Sequence, residues 1–380
     1  MKKLIYFIIQ VFLFKVNLGI IRFMDIKSIE KHILEWGYPV YRVKQIKDWV
    51  FSGKAGSFWD IKNIPYELRR KLSEDKNFFS FKKVKVFESP EKNSFKFAFE
   101  LKDLYVIETS IFKNSQNEWV VCLSSQAGCA VRCVFCASGK KGLKRNLNYE
   151  EIFDQILFSR YFLVSKNTGD VRRVVYMGMG EPFMNYENLC ESIKMINKLL
   201  NIGKRNISVS TFGYLPRIMD FARDFPQVNL AVSVHSAQES VRNMLVPMAS
   251  KYPLSKLAKA LSDYINITSR KVFIEYVLLN GINTGIKDAY RLKDFLKSVA
   301  DLKYFTVNLI PYNYVSNRFK SPSCKNILRF QNLLLSLGIE TTVRKSYASD
   351  VKGACGQLSL RFCKNNGKIN SGWAVEDLNL

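Results

Sequence analysis

Histidine is nearly missing from this chain: His32 and His235 are its two copies in 380 residues. A zinc site here would have to lean on cysteine for its ligands. Acidic residues are scarce too, 33 against 58 Lys and Arg, for a net charge of +25. That surplus points to a polyanionic partner, RNA or DNA first, although a Lys-rich coding bias gives part of it. A membrane-spanning run is lacking. Leu4–Phe14, broken by Gln10, falls short of the roughly 20 residues a spanning helix needs. No small-residue cleavage site follows it, so it does not read as a secretory signal. Eight cysteines at irregular spacing form no disulfide framework and suit a reducing cytosol. Internal repeats and low-complexity segments are absent. What remains, 47% hydrophobic and 13% aromatic, is a globular chain with room for one large α/β domain and a small accessory one.

Residues 1–23 are expected to be a non-conforming N-terminal extension, with Met24 a candidate start. Over 24–78 the pattern is helical. Ile26, Ile29, Ile33 and Trp36 recur at three-to-four spacing and Gly37 fits a helix stop; Val43, Ile46 and Val50 form a second stripe, and Leu68 and Leu72 a third after Pro65. Basic residues between the stripes make this a candidate RNA-binding accessory domain. Over 79–115 the period changes to two, with Phe95, Phe97, Phe99 and Leu101 on one face, which predicts connecting strands. From 116 to 362 strands and helices alternate. Apolar runs at 119–123, 174–177, 207–210, 228–234, 272–279 and 305–310 read as six strands, with helices clearest at 149–162, 189–200 and 292–299. The expected fold is a partial (β/α)6 barrel, its site at the C-terminal ends of the strands. Residues 363–380 are expected to be a tail.

The most informative motif is Cys129-x3-Cys133-x2-Cys136, with Phe135 before the last cysteine. Three thiolates on one loop can hold an iron–sulfur cubane and leave one iron open, whereas a closed zinc site would need a fourth ligand such as Cys122. This spacing is the signature of radical S-adenosylmethionine (SAM) enzymes. Met177–Pro182 follows the second strand of the barrel, where glycines allow close approach and Glu181 can accept from an ammonium group. Ser208–Thr211 and Ser233–Ser236 end the next two strands with short polar side chains suited to a ribose and a carboxylate. Lys140, Lys141, Lys144 and Arg145, just past the cluster loop, are expected to meet phosphates.

Val121–Cys129, the cysteine loop, Gly142–Leu147, Met177–Pro182, Asn308–Asn313 and Ala354–Leu358 run in one order. In that order they resemble the RlmN/Cfr family of radical SAM RNA methyltransferases over residues 25–362, most closely its RlmN branch. The resemblance implies one [4Fe-4S] cluster on Cys129, Cys133 and Cys136. It also implies SAM, two per turnover, held by Gly180, Glu181, Ser210, Ser233, Val234, His235 and Asn313. It implies methylation of C2 of an adenosine in 23S rRNA at the peptidyl transferase centre, with an adenosine beside the tRNA anticodon as a second substrate in some relatives. In the implied mechanism Cys355 carries the methyl group, on a loop that Gly353 and Gly356 would make mobile. Cys122 resolves the RNA adduct through a transient disulfide with Cys355. Glu108 is the proton acceptor, a role that burial would favour by raising its pKa towards neutrality. A flavodoxin-like electron donor and a cytoplasmic location follow from the same resemblance.

Two other readings stand beside it. Segments 225–230 and 268–272 are closer to the Cfr branch, which methylates C8 and confers antibiotic resistance. A metal-stabilised RNA-binding protein without catalysis is the alternative outside enzymes. The chain also departs from the family at Asp350–Ala354, where Lys352 and Gly353 replace the usual residues. Cys190, Cys324 and Cys363 are read as structural or incidental, and His32 as an ordinary helix residue.

Overall fold

A computed structural model describes residues 26–75, 77–345, 347–358 and 374–379; the expected extension at 1–23 lies outside them. The chain divides into two compact units, one ending at Ser80 and one beginning at Phe81. Among its described residues the first holds three α-helices, α1 (Ile26–Glu35), α2 (Tyr41–Phe51) and α3 (Tyr66–Asp75). Their apolar stripes turn inward as the spacing requires: Ile29, Ile33, Val43, Ile46, Val50, Leu68 and Leu72 are all buried. Gly37 ends the first helix in the left-handed region, at φ +77°, where its N–H caps the Leu34 carbonyl at 3.0 Å.

The second unit is built on an eleven-stranded sheet. Three antiparallel strands come first: β1 (Phe81–Glu88), β2 (Ser94–Leu101) and β3 (Val106–Lys113). Next is β4 (Trp119–Cys122), antiparallel to β3 on one side and parallel to its neighbour on the other. From there the chain winds as β4, α4 (Tyr149–Ser165), β5 (Val171–Tyr176), α5 (Tyr186–Leu199), β6 (Ile207–Thr211), α6 (Leu215–Asp224) and β7 (Asn229–Ser233). It continues as α7 (Leu254–Thr268), β8 (Val272–Leu278), α8 (Ile286–Val299), β9 (Phe305–Pro311), α9 (Cys324–Ser336) and β10 (Thr341–Val343). The strands from β4 to β10 pair in parallel with their neighbours, as helical crossovers demand. This is the open, partial barrel expected, with a short seventh parallel strand, β10, that three residues were too few to signal. A last strand, β11 (Ala374–Asn379), pairs antiparallel with β1 inside the segment read as a tail.

The sheet is buried where it meets α4. Phe95, Phe97 and Phe99 of β2 pack edge-on against Phe158 and Phe162 of that helix, with ring centroids 4.9–5.5 Å apart. Such pairs add about 0.5–1.5 kcal/mol each beyond their burial. The helix starts on a capping box: Asn148 Oδ1 accepts from the Glu151 N–H at 2.7 Å, and Glu151 Oε2 from the Asn148 N–H at 3.0 Å.

Candidate active site

The cysteine loop leaves β4 through a two-stranded ribbon, Gln126–Ala127 against Arg145–Asn146. Gly128 makes the turn possible: its φ is +83°, and a Cβ there would lie 2.0 Å from the Gly142 carbonyl oxygen. The Cys129 N–H donates to that oxygen at 3.2 Å. Beyond the turn Cys129, Cys133 and Cys136 line one cavity of about 160 Å³ at the C-terminal ends of the parallel strands. Burial pushes the Cys129 thiol up to about 12, and the neighbouring Cys136 sulfur adds to the effect. Thiolates as buried as that of Cys129 call for a cationic metal centre opposite them. Among the described residues no three ligand side chains converge on one ion. A cubane does not ask for that, since each thiolate would bind a different iron. The residues fit such a cluster.

Gly180, Glu181, Ser210, Ser233, His235 and Asn313 line the same cavity. Gly180 has φ +103°, and a Cβ there would come within 2.6 Å of Gln126 Cβ, so this turn has no room for a side chain. Glu181 Oε1 accepts from the Phe183 N–H at 3.1 Å and Oε2 from the Phe212 N–H at 3.0 Å. Burial still raises its carboxyl to about 7, against those hydrogen bonds. His235 sits at φ +58°, its Nδ1 accepting from the Val277 N–H at 3.1 Å. Burial, and then Arg242, lower it to about 3. The ring is therefore neutral, with its proton on Nε2, and suits hydrogen bonding better than acid–base work. Val234 is buried, its N–H spent on the Glu275 carbonyl at 3.1 Å, and its side chain is not among those lining the cavity.

A second cavity, of about 230 Å³, continues inside the barrel and shares Met177, Ile310, Asn313, Arg344 and Cys355 with the first. Cys122 lines it. Burial, then the Cys355 sulfur, lift the Cys122 thiol to about 12, while Arg344 pulls it down. Both cysteines are free thiols. The Cys355 segment is docked rather than loose. Gly356 O accepts from the Ala137 N–H at 2.7 Å, Leu358 O from Ser138 Oγ at 2.8 Å, and Cys355 O from Asn313 Nδ2 at 3.0 Å. Further up, Gly353 O accepts from Ser110 Oγ at 2.9 Å, and Tyr347 stacks on Phe112 with centroids 4.8 Å apart.

Glu108 lines neither of these cavities. It is buried, 3.0 Å from Lys96 Nζ, beneath an apolar patch where Ala348 and Val351 pack with Phe87, Ala98 and Val106. Burial is thus matched by a cation across the strand pair. Arg145 differs from the other cations of the basic run. It is bound to Asp103 and, at 2.7 Å, to Glu151, the capping residue of α4. Lys141 and Lys144 are exposed. Arg344 and Glu275 were missed by sequence reasoning. A lone acid inside the apolar run 272–279 was the available signal, because a buried carboxylate needs a partner.

The open barrel, with three cysteines on the loop after its first parallel strand and a Gly-Glu turn after the next, defines a radical SAM enzyme; the Radical SAM superfamily model matches residues 123–292. A probable dual-specificity RNA methyltransferase RlmN from Dictyoglomus thermophilum is 39% identical over 91% of this chain and 98% of its own. One from Clostridium tetani is 36% identical over 91% and 97%. The crystal structure of a radical SAM methyltransferase from Sphaerobacter thermophilus superposes with a TM-score of 0.81 at 34% identity, covering 88% of this chain and 98% of that one. The chain belongs to the RlmN family. No helix among the described residues is long and apolar enough to cross a membrane.

Proposed function

We propose that this chain, a radical SAM RNA methyltransferase by family, methylates C2 of an adenosine in 23S rRNA at the peptidyl transferase centre, and an adenosine next to the anticodon of tRNA. The observation that carries the reading is the position of Cys355. It lines both the cavity of the three cluster cysteines and the cavity that holds Cys122, where a group carried on its sulfur can be loaded on one side and used on the other. Adenine C2 is electron-poor and offers no lone pair, so direct polar methylation does not reach it. A carrier cysteine is the way round.

Cys129, Cys133 and Cys136 would hold the [4Fe-4S] cluster, which supplies the electron that cleaves SAM to a hydrogen-abstracting radical. Glu181 faces the SAM ammonium group, with Ser210, Ser233 and His235 around the rest. Cys355 takes the methyl group from one SAM and gives up a hydrogen from it at the expense of a second. The methylene radical left on Cys355 adds to C2 and tethers the ring to the sulfur; the adduct gives up the ring proton and one electron, which the oxidised cluster would take back. Cys122 then attacks the Cys355 sulfur, the sulfur–methylene bond breaks, the released carbon takes a proton to become the methyl group, and the disulfide left behind is reduced by cytosolic thiols. Glu108 is the proposed acceptor of the ring proton. The first unit supplies RNA contacts: Tyr41, Trp59 and Tyr66 are exposed beside Arg42 and Arg69, a pairing of rings and cations that suits nucleic acid. A flavodoxin-like donor and a cytoplasmic setting complete the proposal.

The test is anaerobic incubation of the cluster-loaded protein with protein-free 23S rRNA or tRNA, methyl-labelled SAM and a reductant, read by nucleoside mass spectrometry. Labelled 2-methyladenosine is expected. Labelled 8-methyladenosine would move the chain to the Cfr chemistry. No labelled adenosine despite SAM cleavage would overturn the proposal.

A further inference from the structure

Arg344 follows β10 and brings its guanidinium to the seam of the two cavities, lining both. Its Nη1 lies 3.2 Å from Met177 Sδ, 3.4 Å from Glu275 Oε2 and 3.8 Å from Cys355 Sγ. The group does not reach this place by accident of a flexible chain. Glu275, Asn308 and Thr342 are in-register neighbours on β8, β9 and β10. They form a row: Asn308 Nδ2 donates to Glu275 Oε1 at 2.8 Å, and Thr342 Oγ1 to Asn308 Oδ1 at 2.8 Å. One oxygen of Glu275 is thereby fixed by the sheet and the other faces Arg344. Glu275 is 2% exposed, and a buried carboxylate without its cation would be costly. The arrangement is a built one: three strands hold an acid, the acid holds a guanidinium, and the guanidinium reaches the sulfur of Cys355.

We propose that Arg344 is a catalytic residue for loading of Cys355: its N–H donates to the Cys355 sulfur, fixing that sulfur where the SAM cavity meets the second cavity, and Glu275 is the positioning residue behind it. The proposal rests on the methyl-cysteine reading above. In the step it serves, the Cys355 thiol gives its proton to water. A sulfur electron pair then forms the new C–S bond to the SAM methyl group. The methyl–sulfonium bond breaks, its electron pair stays on the SAM sulfur, and S-adenosylhomocysteine leaves. No electron donor is consumed. A hydrogen-bond donor carrying positive charge stabilises the attacking sulfur and sets its direction, two things that a buried sulfur among apolar neighbours lacks. Arginine can do both while remaining charged at any working pH.

The experiment follows transfer of a deuterated methyl group from SAM to the Cys355 peptide by mass spectrometry, in cluster-loaded parent, Arg344→Met, Arg344→Lys and Glu275→Gln proteins. Visible absorbance of the cluster and equilibrium SAM binding are recorded alongside. The expected result is a labelling rate at saturating SAM at least tenfold lower in Arg344→Met, partial recovery in Arg344→Lys, an intermediate loss in Glu275→Gln, and SAM affinity within a few-fold of the parent throughout. Should Arg344→Met fail to take up the cluster, the lysine and Glu275→Gln proteins decide by the same readout. Parental rates in the variants that fold would overturn the role of Arg344 while leaving Cys355 as the carrier. A parent that binds SAM and cleaves it but never labels Cys355 would overturn the carrier reading itself, and this proposal with it.

Discussion

Glu181 is placed where a carboxylate is uncomfortable until its ligand arrives. Burial raises its carboxyl from the ordinary value of 4.5 to about 7 despite two backbone donors. In the ligand-free protein the folded state therefore keeps a proton that the unfolded chain releases above about pH 4.5. Stability from this group falls as pH rises towards and through 7, by about 3 kcal/mol in all. Thermal unfolding of the ligand-free protein should show a smaller decline between pH 5 and 8 in Glu181→Gln than in the parent. A bound ammonium group reverses the balance, because it favours the charged carboxylate. Calorimetric SAM affinity should rise across pH 6–8 in the parent, and the glutamine variant should bind about 10- to 100-fold more weakly at pH 8. Equal pH profiles in the two proteins would remove Glu181 from ammonium binding. This residue was legible in the sequence because its turn is local: Gly180 and Glu181 are adjacent and follow an apolar strand. Arg344 was not, because its meaning depends on Glu275 and Cys355, brought to it by two other elements.

At the scale of the element, β2 shows what a periodic pattern can and cannot say. Phe95, Phe97, Phe99 and Leu101 announced one buried face, and that face packs on α4. The pattern says nothing of the other face, where Lys96 is 4% exposed and Ala98 fully buried. They are covered by a segment that arrives from beyond β10, so no local signal could mark them. Lys96 and Glu108 form an ion pair inside this covered layer. Removing one partner of such a pair takes a close opposite charge away from a buried group. Lys96→Met should lower the unfolding free energy by about 3 kcal/mol, and the double change Lys96→Met with Glu108→Leu should recover most of it. Urea titration measures both. A Lys96→Met protein as stable as the parent would mean that Glu108 finds its compensation elsewhere.

Over the whole molecule the excess of 25 positive charges favours an RNA partner without saying which cations touch it. The structure sorts some of them. Composition could supply the sign of the charge but not this sorting, since an ion pair depends on what the fold places opposite each side chain. The pairing of β11 with β1 escaped the sequence for a related reason: strand pairing between distant parts of a chain leaves no local pattern. Arg145 joins Asp103 to Glu151 and so to the start of α4, whereas Lys141 and Lys144, in the same basic run, are exposed. Lys141→Glu and Lys144→Glu should each weaken RNA binding and reduce the slope of log affinity against log salt by about one, with little effect on stability. Arg145→Met should do the opposite, costing about 1–2 kcal/mol of stability through the lost network and the loosened cap while leaving the salt slope where it was. RNA titrations over a range of salt, run beside urea unfolding of the same three proteins, separate the two behaviours. If Arg145→Met changes the slope as much as the lysine variants do, the arginine leaves its carboxylates for a phosphate when RNA binds, and structural and RNA-facing cations are not separate groups.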